Sequence, residues 1–363
     1  MSHESIFLIG FLLLIGFILA FDLGIFGKKK ETVSMKQAGI MSFIVVSLAI
    51  GFYFVLLTFG DYLHSIDSLE KLQQVITKNH HPIKIIPGNL EQSIELYNQN
   101  LALEFITGYV VEYALSVDNI FVILLVFTSF NVAKENYHRV LFWGILGAVI
   151  MRFIFIFVGA ALIAKFDWIL LIFGAFLLYS GIKMFIDRNN DETIDTNDHP
   201  VVKFANKYFR VHNTFEKEKF WIKKNGVWFM TPLFLVLIII EFTDLIFAVD
   251  SIPAIFSITK DPYIVFFSNI FAIIGLRSMF FLLAGFVDKL RYLKIGLAAL
   301  LAFIGIKMLA HGYLDELGFK TTHSLLIIVG ILGTSIIASL LNPLQVKERT
   351  LHYDPEKDQH KRH

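Results

Sequence analysis

Nine stretches of this chain are long and apolar enough for an α-helix to cross the hydrocarbon of a bilayer, which takes about 20 residues. They lie near residues 5–25, 38–59, 103–128, 140–163, 167–186, 229–254, 263–285, 294–311 and 323–341. Inside a membrane the backbone must satisfy its own polar groups. The chain is therefore expected to be all-α, a polytopic transmembrane helical protein of about nine spans. Only 17% of its residues are charged, against 56% hydrophobic, and its mean hydropathy is +0.65. A soluble domain has about a quarter charged residues. The first run does not read as a cleaved signal peptide: Met1-Ser2-His3-Glu4 supplies no basic leader, and Lys28-Lys29-Lys30 follow it.

The loops differ sharply in Lys and Arg. The alternate loops 27–37, 129–139, 187–227, 286–294 and 342–363 hold 22 of them, whereas 1–4, 60–100, 164–166, 255–262 and 312–322 hold 6. Basic residues stay on the cytoplasmic side. The expected orientation in the bacterial cytoplasmic membrane thus has the N-terminus outside and the C-terminus inside. The chain divides into two helices (1–60), an extracytoplasmic loop (61–100), a three-helix unit (101–186) and a cytoplasmic loop (187–227). A second three-helix unit (228–311), a last helix (312–341) and a polar tail (342–363) complete it. The cytoplasmic loop sets Phe204, Tyr208, Phe209 and Trp221 among mixed charges, which suits a short amphipathic helix at the membrane surface. The histidines of the tail, and the pair His80-His81, read as solvent-facing rather than as ligands.

The two units repeat each other. EYALSVDN (112–119) matches DLIFAVDS (244–251), GIKMF (181–185) matches GIKML (305–309), and Arg152 and Arg277 fall at matching places in the middle spans. Three spans per unit is an odd number, so the second copy is upside down relative to the first. Inverted repeats typify secondary transporters, which bind substrate near the midplane where the repeats meet.

That midplane is charged. Glu112, Asp118, Arg152, Glu241, Asp244, Asp250 and Arg277 all lie deep in apolar spans, with Asn119 and Asn269 as polar companions. Interhelical ion pairing would account for two of the acids, because buried charges are normally paired. Five acids against two arginines leave three carboxylates to be protonated, hydrated or bound to a cation. Glu112 and Asp118 stand about 120° apart on an unbroken helix, so convergence on one ion requires a bend. Ser116 is placed to bend the helix by bonding an earlier carbonyl, and Pro253 frees a carbonyl in the second copy. The third and sixth spans are accordingly expected to be interrupted helices around one central cavity. Glu241 and Asp244, three residues apart, share a face.

Carboxylates, Asn and carbonyls are hard oxygen donors, suited to Mg²⁺, Ca²⁺ or Mn²⁺. The chain has no cysteine, and its membrane histidines (His64, His138, His311, His323) sit at span ends, so copper and zinc are poorly served. Met41, Met151 and Met279 are scattered singly and read as packing residues. Excess carboxylates also suit proton exchange. Asp22, at the inner end of the first span, fits an ion entrance and a span cap equally well.

These residues resemble the TerC/Alx family of bacterial integral membrane proteins, within the wider LysE-like transporter group. The likeness runs from FDLGIFGKKK to Met308 and is densest at EYALSVDNIFVILLVF, YHRVLFWGILGAVIMR, IEFTDLIFAVDSIPAIFSITKDP and SNIFAIIGLRSMFF. Loop 60–100 looks longer than the family's usual one. The resemblance implies Mn²⁺ export, in some members responsive to alkaline pH. By position, Glu112, Asp118, Asn119, Glu241, Asp244 and Asp250 would form the metal pathway, with Arg152, Arg277, Asn269 and Asp22 in support. Mn²⁺ would be cargo, and no prosthetic group is implied.

Two other readings stay open: export of Ca²⁺ or Mg²⁺, and a non-transporting membrane partner in tellurite or envelope stress acting through loops 60–100 or 187–227. An enzyme is not expected. The apolar spans contain neither the Tyr-Asp pair nor the GxGD segment of an intramembrane aspartyl protease. A net charge of +1 gives no reason to expect a nucleic-acid partner.

Overall fold

Each of the nine apolar runs forms a helix in the computed structural model, which describes residues 3–22, 34–166, 168–187, 219–224, 226–284 and 292–342. In chain order these are α1 (His3–Asp22), α2 (Met35–Phe59), a 3₁₀ turn (Gly60–His64), α3 (Leu69–Asn79), α4 (Leu90–Ser129), α5 (Lys134–Lys165) and α6 (Ile169–Ile186). A hairpin of β1 (Trp221–Lys224) and β2 (Val227–Met230) follows. The chain then continues as α7 (Pro232–Phe256), α8 (Pro262–Leu283), α9 (Leu293–Leu309), the short α10 (His311–Glu316) and α11 (Thr321–Leu341). Among the described residues seven helices, α2, α4, α5, α6, α7, α8 and α11, are long and apolar enough to cross a membrane. The apolar part of α1 (His3–Leu19) and α9 are shorter. The chain is a multi-pass α-helical membrane protein.

Burial follows from that solvent. Helices α1, α2, α5, α6 and α11 expose Leu13, Phe43, Ile150, Ile172 and Leu340, apolar surface that lipid covers. Helix α8 is the exception, with 94% of its apolar stretch buried. It packs against α2, α4 and α5. Phe267 and Phe271 on α8 meet Phe52 of α2, and Phe271 meets Phe105 of α4, as ring pairs with centroids 5.1–5.6 Å apart. The central helix can thus carry polar groups away from lipid.

Loop contacts sort the helix ends. The Glu4 N–H donates to Ser65 Oγ at 3.1 Å, and the Glu4 carboxylate accepts from the Tyr263 hydroxyl at 3.0 Å. His64 Nε2 lies 2.7 Å from Asp261 Oδ2. Glu4, the turn at 64–65 and the start of α8 at 261–263 therefore share one end of the bundle. At the other end the Arg139 guanidinium lies 4.8 Å over the Phe220 ring, joining the start of α5 to the hairpin.

The GIKM motifs meet across α6 and α9. A Cβ added at Gly181 would stand 2.8 Å from Ala298 O and 2.7 Å from Ala302 N. One added at Gly305 would stand 2.7 Å from Gly174 O and 2.5 Å from Leu178 N. Each glycine thus packs against the positions seven and three residues before its counterpart. Two antiparallel helices related by a two-fold axis pack in that reciprocal way, and small residues let membrane helices approach so closely. Gly181→Ala and Gly305→Ala should each destabilise the protein by about 1–3 kcal/mol, since the new methyl meets backbone that cannot swing aside. A matching fall in thermal midpoint in detergent would register it, whereas an unchanged midpoint would refute the contact.

Several expectations need correction. Neither α4 nor α7 is interrupted: α4 is one helix of 40 residues and α7 one of 25. Ser116 does not bond back to a carbonyl; its hydroxyl is buried without a hydrogen-bond partner. Pro253 sits one turn before the end of α7, where a missing N–H leaves the Val249 carbonyl free without breaking the helix. Segment 61–100 is not simply loop, since α3 and the first turns of α4 form there. Residues 227–230, partly assigned to the sixth span, are strand β2. Loop residues 188–218, Lys28-Lys29-Lys30 and tail residues 343–363 lie outside the described residues.

Candidate cation pathway

The two repeated segments face each other in the interior, and Arg152 joins them. Its side chain on α5 is completely buried. One terminal nitrogen, Nη1, donates to Glu112 Oε1 on α4 and to Asn269 Oδ1 on α8, and lies 3.3 Å from Ser251 Oγ on α7. The other, Nη2, donates to Asp244 Oδ1 on α7 at 3.4 Å. Asn119 Nδ2 also donates to Asp244 Oδ1, at 3.3 Å. One planar guanidinium fork therefore ties an acid of the first unit to an acid of the second. Arg suits this role because its donors are fixed in a plane.

A cavity of about 50 Å³ opens beside this cluster, lined by Glu112, Asp118, Asn119, Asp250 and Ser251 with apolar walls that include Leu115 and Phe247. That is room for a few waters or a partly hydrated ion. Along α4 its wall is formed by residues 112, 115, 118 and 119. These span an arc of about 120°, with Glu112 and Asp118 at its edges. The two acids face one cavity without any break in the helix. The reading of a single point of convergence is corrected to a cavity with acids around it. Across it, Asp250 Oδ1 accepts from Ser180 Oγ of α6 at 3.1 Å. Glu112 Oε2 is buried without a hydrogen-bond partner.

A second cavity of about 30 Å³ lies on the other side of Asn119 and Asp244, between α5 and α7, and is largely apolar. Glu241, half-buried, lies against α5 where it faces Gly147, and a Cβ there would collide with its carboxylate. Arg277 is buried on α8 and lines neither cavity. Asp22 ends α1, and its side chain lies outside the described residues. Among the described residues no three His, Asp or Glu side chains are gathered as a ready metal shell. The acids are strung along a path instead.

Sequence reasoning missed Ser180 and the structural part of Ser251. Their only signal was adjacency, Ser180 to GIKMF and Ser251 to Asp250. It also passed over Glu104, an acid at the edge of the third span, and it misplaced His81. Far from facing solvent, His81 is buried, because the left-handed turn at His80 (φ 53°) folds the chain back onto α4. There its Nδ1 lies 3.1 Å from Glu104 Oε1.

A family model described as "Integral membrane protein TerC family" matches residues 97–347. An uncharacterized membrane protein of Myxococcus xanthus is 40% identical over 332 residues, 92% of this chain and 91% of the relative. A protein of Escherichia coli strain K12, provisionally named a membrane-bound redox modulator, Alx, is 49% identical over 249 residues, 68% of this chain and 76% of the relative. An uncharacterized membrane protein of Rickettsia bellii is 37% identical over 327 residues, 89% of this chain and 93% of the relative. No solved structure matches the chain.

Proposed function

Because the chain belongs to the TerC family of integral membrane proteins, we propose that it moves a hard divalent cation, Mn²⁺ first among them, out of the cytoplasm by alternating access. The carrying observation is the cavity that Glu112, Asp118 and Asp250 share between the two units. The carboxylates around the cavity outnumber the one arginine that bridges two of them, and a transported cation supplies the missing positive charge. Arg152 holds Glu112 and Asp244 while the cation is away. A cation at the cavity would compete for Glu112, so loading and the grip between the units are linked. The reciprocal GIKM packing supports the inverted-repeat frame on which such a cycle depends.

Ca²⁺ and Mg²⁺ accept the same oxygen donors, and Mn²⁺ is preferred on the family resemblance. Exchange against protons is the coupling that suits the surplus of carboxylates. The orientation proposed is N-terminus outside in the cytoplasmic membrane, from the Lys and Arg distribution. The name carried by the Alx relatives favours a second reading, a membrane-bound modulator. This chain contains no cysteine, so it has no thiol of its own with which to modulate redox state. Uptake of Mn²⁺ into inside-out vesicles, with and without an imposed pH gradient, tests the proposal. Uptake above empty vesicles is expected, and equal uptake would refute it.

A further inference from the structure

At the α3 end of the bundle a second set of ionisable side chains is buried, apart from the acids of the cavity. Glu104 belongs to the early turns of α4, Asp261 caps the start of α8, and His64 comes from the 3₁₀ turn. His81 lies in the segment that links α3 to α4. The side chains of His81 and Asp261 are 0% exposed, Glu104 is 1% and His64 is 14% exposed. Asn100 Nδ2 donates to Glu104 Oε1 at 2.7 Å, and Thr259 Oγ1 to Glu104 Oε2 at 2.5 Å. The Tyr263 N–H donates to Asp261 Oδ1 at 3.0 Å. Tyr97 stands edge-on to the His81 ring, and Asp61 lies nearby, bonded by Asn98. Among the described residues no Lys or Arg reaches either carboxylate, so the basic side chains beside them are the two imidazoles.

His81 stands between the carboxylates. Its Nδ1 is 3.1 Å from Glu104 Oε1, and its Nε2 is 3.7 Å from Asp261 Oδ2, buried and without a hydrogen-bond partner. A neutral imidazole has one N–H. It would serve one carboxylate and turn a lone pair toward the other, both out of water. An imidazolium turns an N–H toward each, hydrogen-bonding Glu104 and standing as an ion pair 3.7 Å from Asp261.

We infer that His81, Glu104 and Asp261 form a proton-binding site whose bound proton pins the α3 segment (65–89) across α4 and the α7–α8 turn. When the proton leaves, two buried carboxylates lose their shared countercharge and the segment lifts. Glu104 lies eight residues before Glu112 on α4, about 12 Å along the helix. Ser268 and Asn269 of α8 line the interval, Ser268 packed at Gly108 and Asn269 bonded to Arg152. The inference concerns the pin itself and does not depend on which ion, if any, crosses the membrane.

The electrostatics have the required sign. Burial alone would lower the His81 pKa, but Glu104 and Asp261 outweigh it and hold it above the ordinary 6.5. Burial alone would raise Asp261, but His64, His81 and the Tyr263 N–H hold it below 3.8. A raised imidazole stabilises the folded arrangement fully below about 6.5, and that stabilisation is lost as pH climbs through the raised value. The depressed Asp261 contributes above its ordinary value and fails only in strong acid.

The chain has no native cysteine, so spin labels at Gln74→Cys on α3 and Gln99→Cys on α4, both exposed, report the pin in the full-length protein in lipid nanodiscs. One short distance is expected at pH 5.5, giving way to longer distances at a midpoint above 6.5. In His81→Gln the long distances should prevail at every pH. Glu104→Gln, which removes one of the two carboxylates, should lower the midpoint by at least half a pH unit, and it serves should His81→Gln fail to fold. A pH-independent distance in the parent overturns the inference. So does an unmoved midpoint in Glu104→Gln, or a His81→Gln protein that keeps the parent transition. Micromolar Mn²⁺ or Zn²⁺ holding the short distance at pH 9 would make the occupant a metal and overturn it as well.

Discussion

Asp118→Asn and Asp250→Asn should each slow Mn²⁺ efflux from manganese-loaded cells at least tenfold, while leaving the protein folded and at its normal level in the membrane. Asn keeps the size of Asp, and at position 250 its carbonyl still accepts from Ser180. What goes is one negative charge on the wall of a cavity only about 50 Å³ in volume. A tenfold effect corresponds to about 1.4 kcal/mol, modest for removing a charged ligand from a divalent ion in a low-dielectric site. Stability should move little, because each residue is only half-buried. Glu112→Gln separates the roles further, since it removes both a cavity charge and the partner of Arg152, and should lose efflux and stability together. If both Asn variants exported at the parent rate while deletion of 65–89 abolished the phenotype, the transport reading would give way to a membrane partner acting through that segment.

The span pattern and the charged midplane were legible because each rests on a strong local signal. An apolar run of 20 residues admits few folds, and an acid inside one is costly enough to be informative alone. Glu112, Asp118, Asp244 and Asp250 were therefore singled out, and three of them line one cavity. The unbroken course of α4 was not legible. The sequence reading assumed that two acids 120° apart must converge on a point, and so required a bend at Ser116. The cavity is broad enough to receive both from one helix. His81 failed for a different reason. Its burial depends on α3 folding back through the turn at His80 and on Glu104 and Asp261, which are 23 and 180 positions away. No window of sequence contains those partners, and a His-His pair in a polar loop looks solvated until they are present. Ser180 and Ser251 were hidden likewise, as small hydroxyl residues are common in membrane helices that hold no site.

Arg152→Met should be the most destabilising single substitution in the interior, by roughly 3–5 kcal/mol, the usual cost of leaving one member of a buried ion pair unpartnered. Arg152 reaches Glu112, Asp244, Asn269 and Ser251 from one side chain. Its loss strands Glu112, which is buried and already has one oxygen without a hydrogen-bond partner. Lys should not substitute well, because a single ammonium cannot offer the planar fork that spans α4 and α7. The diagnostic is the double variant. If the cost comes from an unpaired Glu112, Arg152→Met with Glu112→Gln should recover a large part of the lost thermal midpoint, although Asp244 stays uncompensated. Equal losses in the single and double variants would mean that Arg152 acts by packing alone. The same series bears on transport: stability should return in the double variant while efflux does not, because the recovered protein lacks a cavity carboxylate. Recovery of both would remove Glu112 from the pathway and leave Asp118 and Asp250 as its acids.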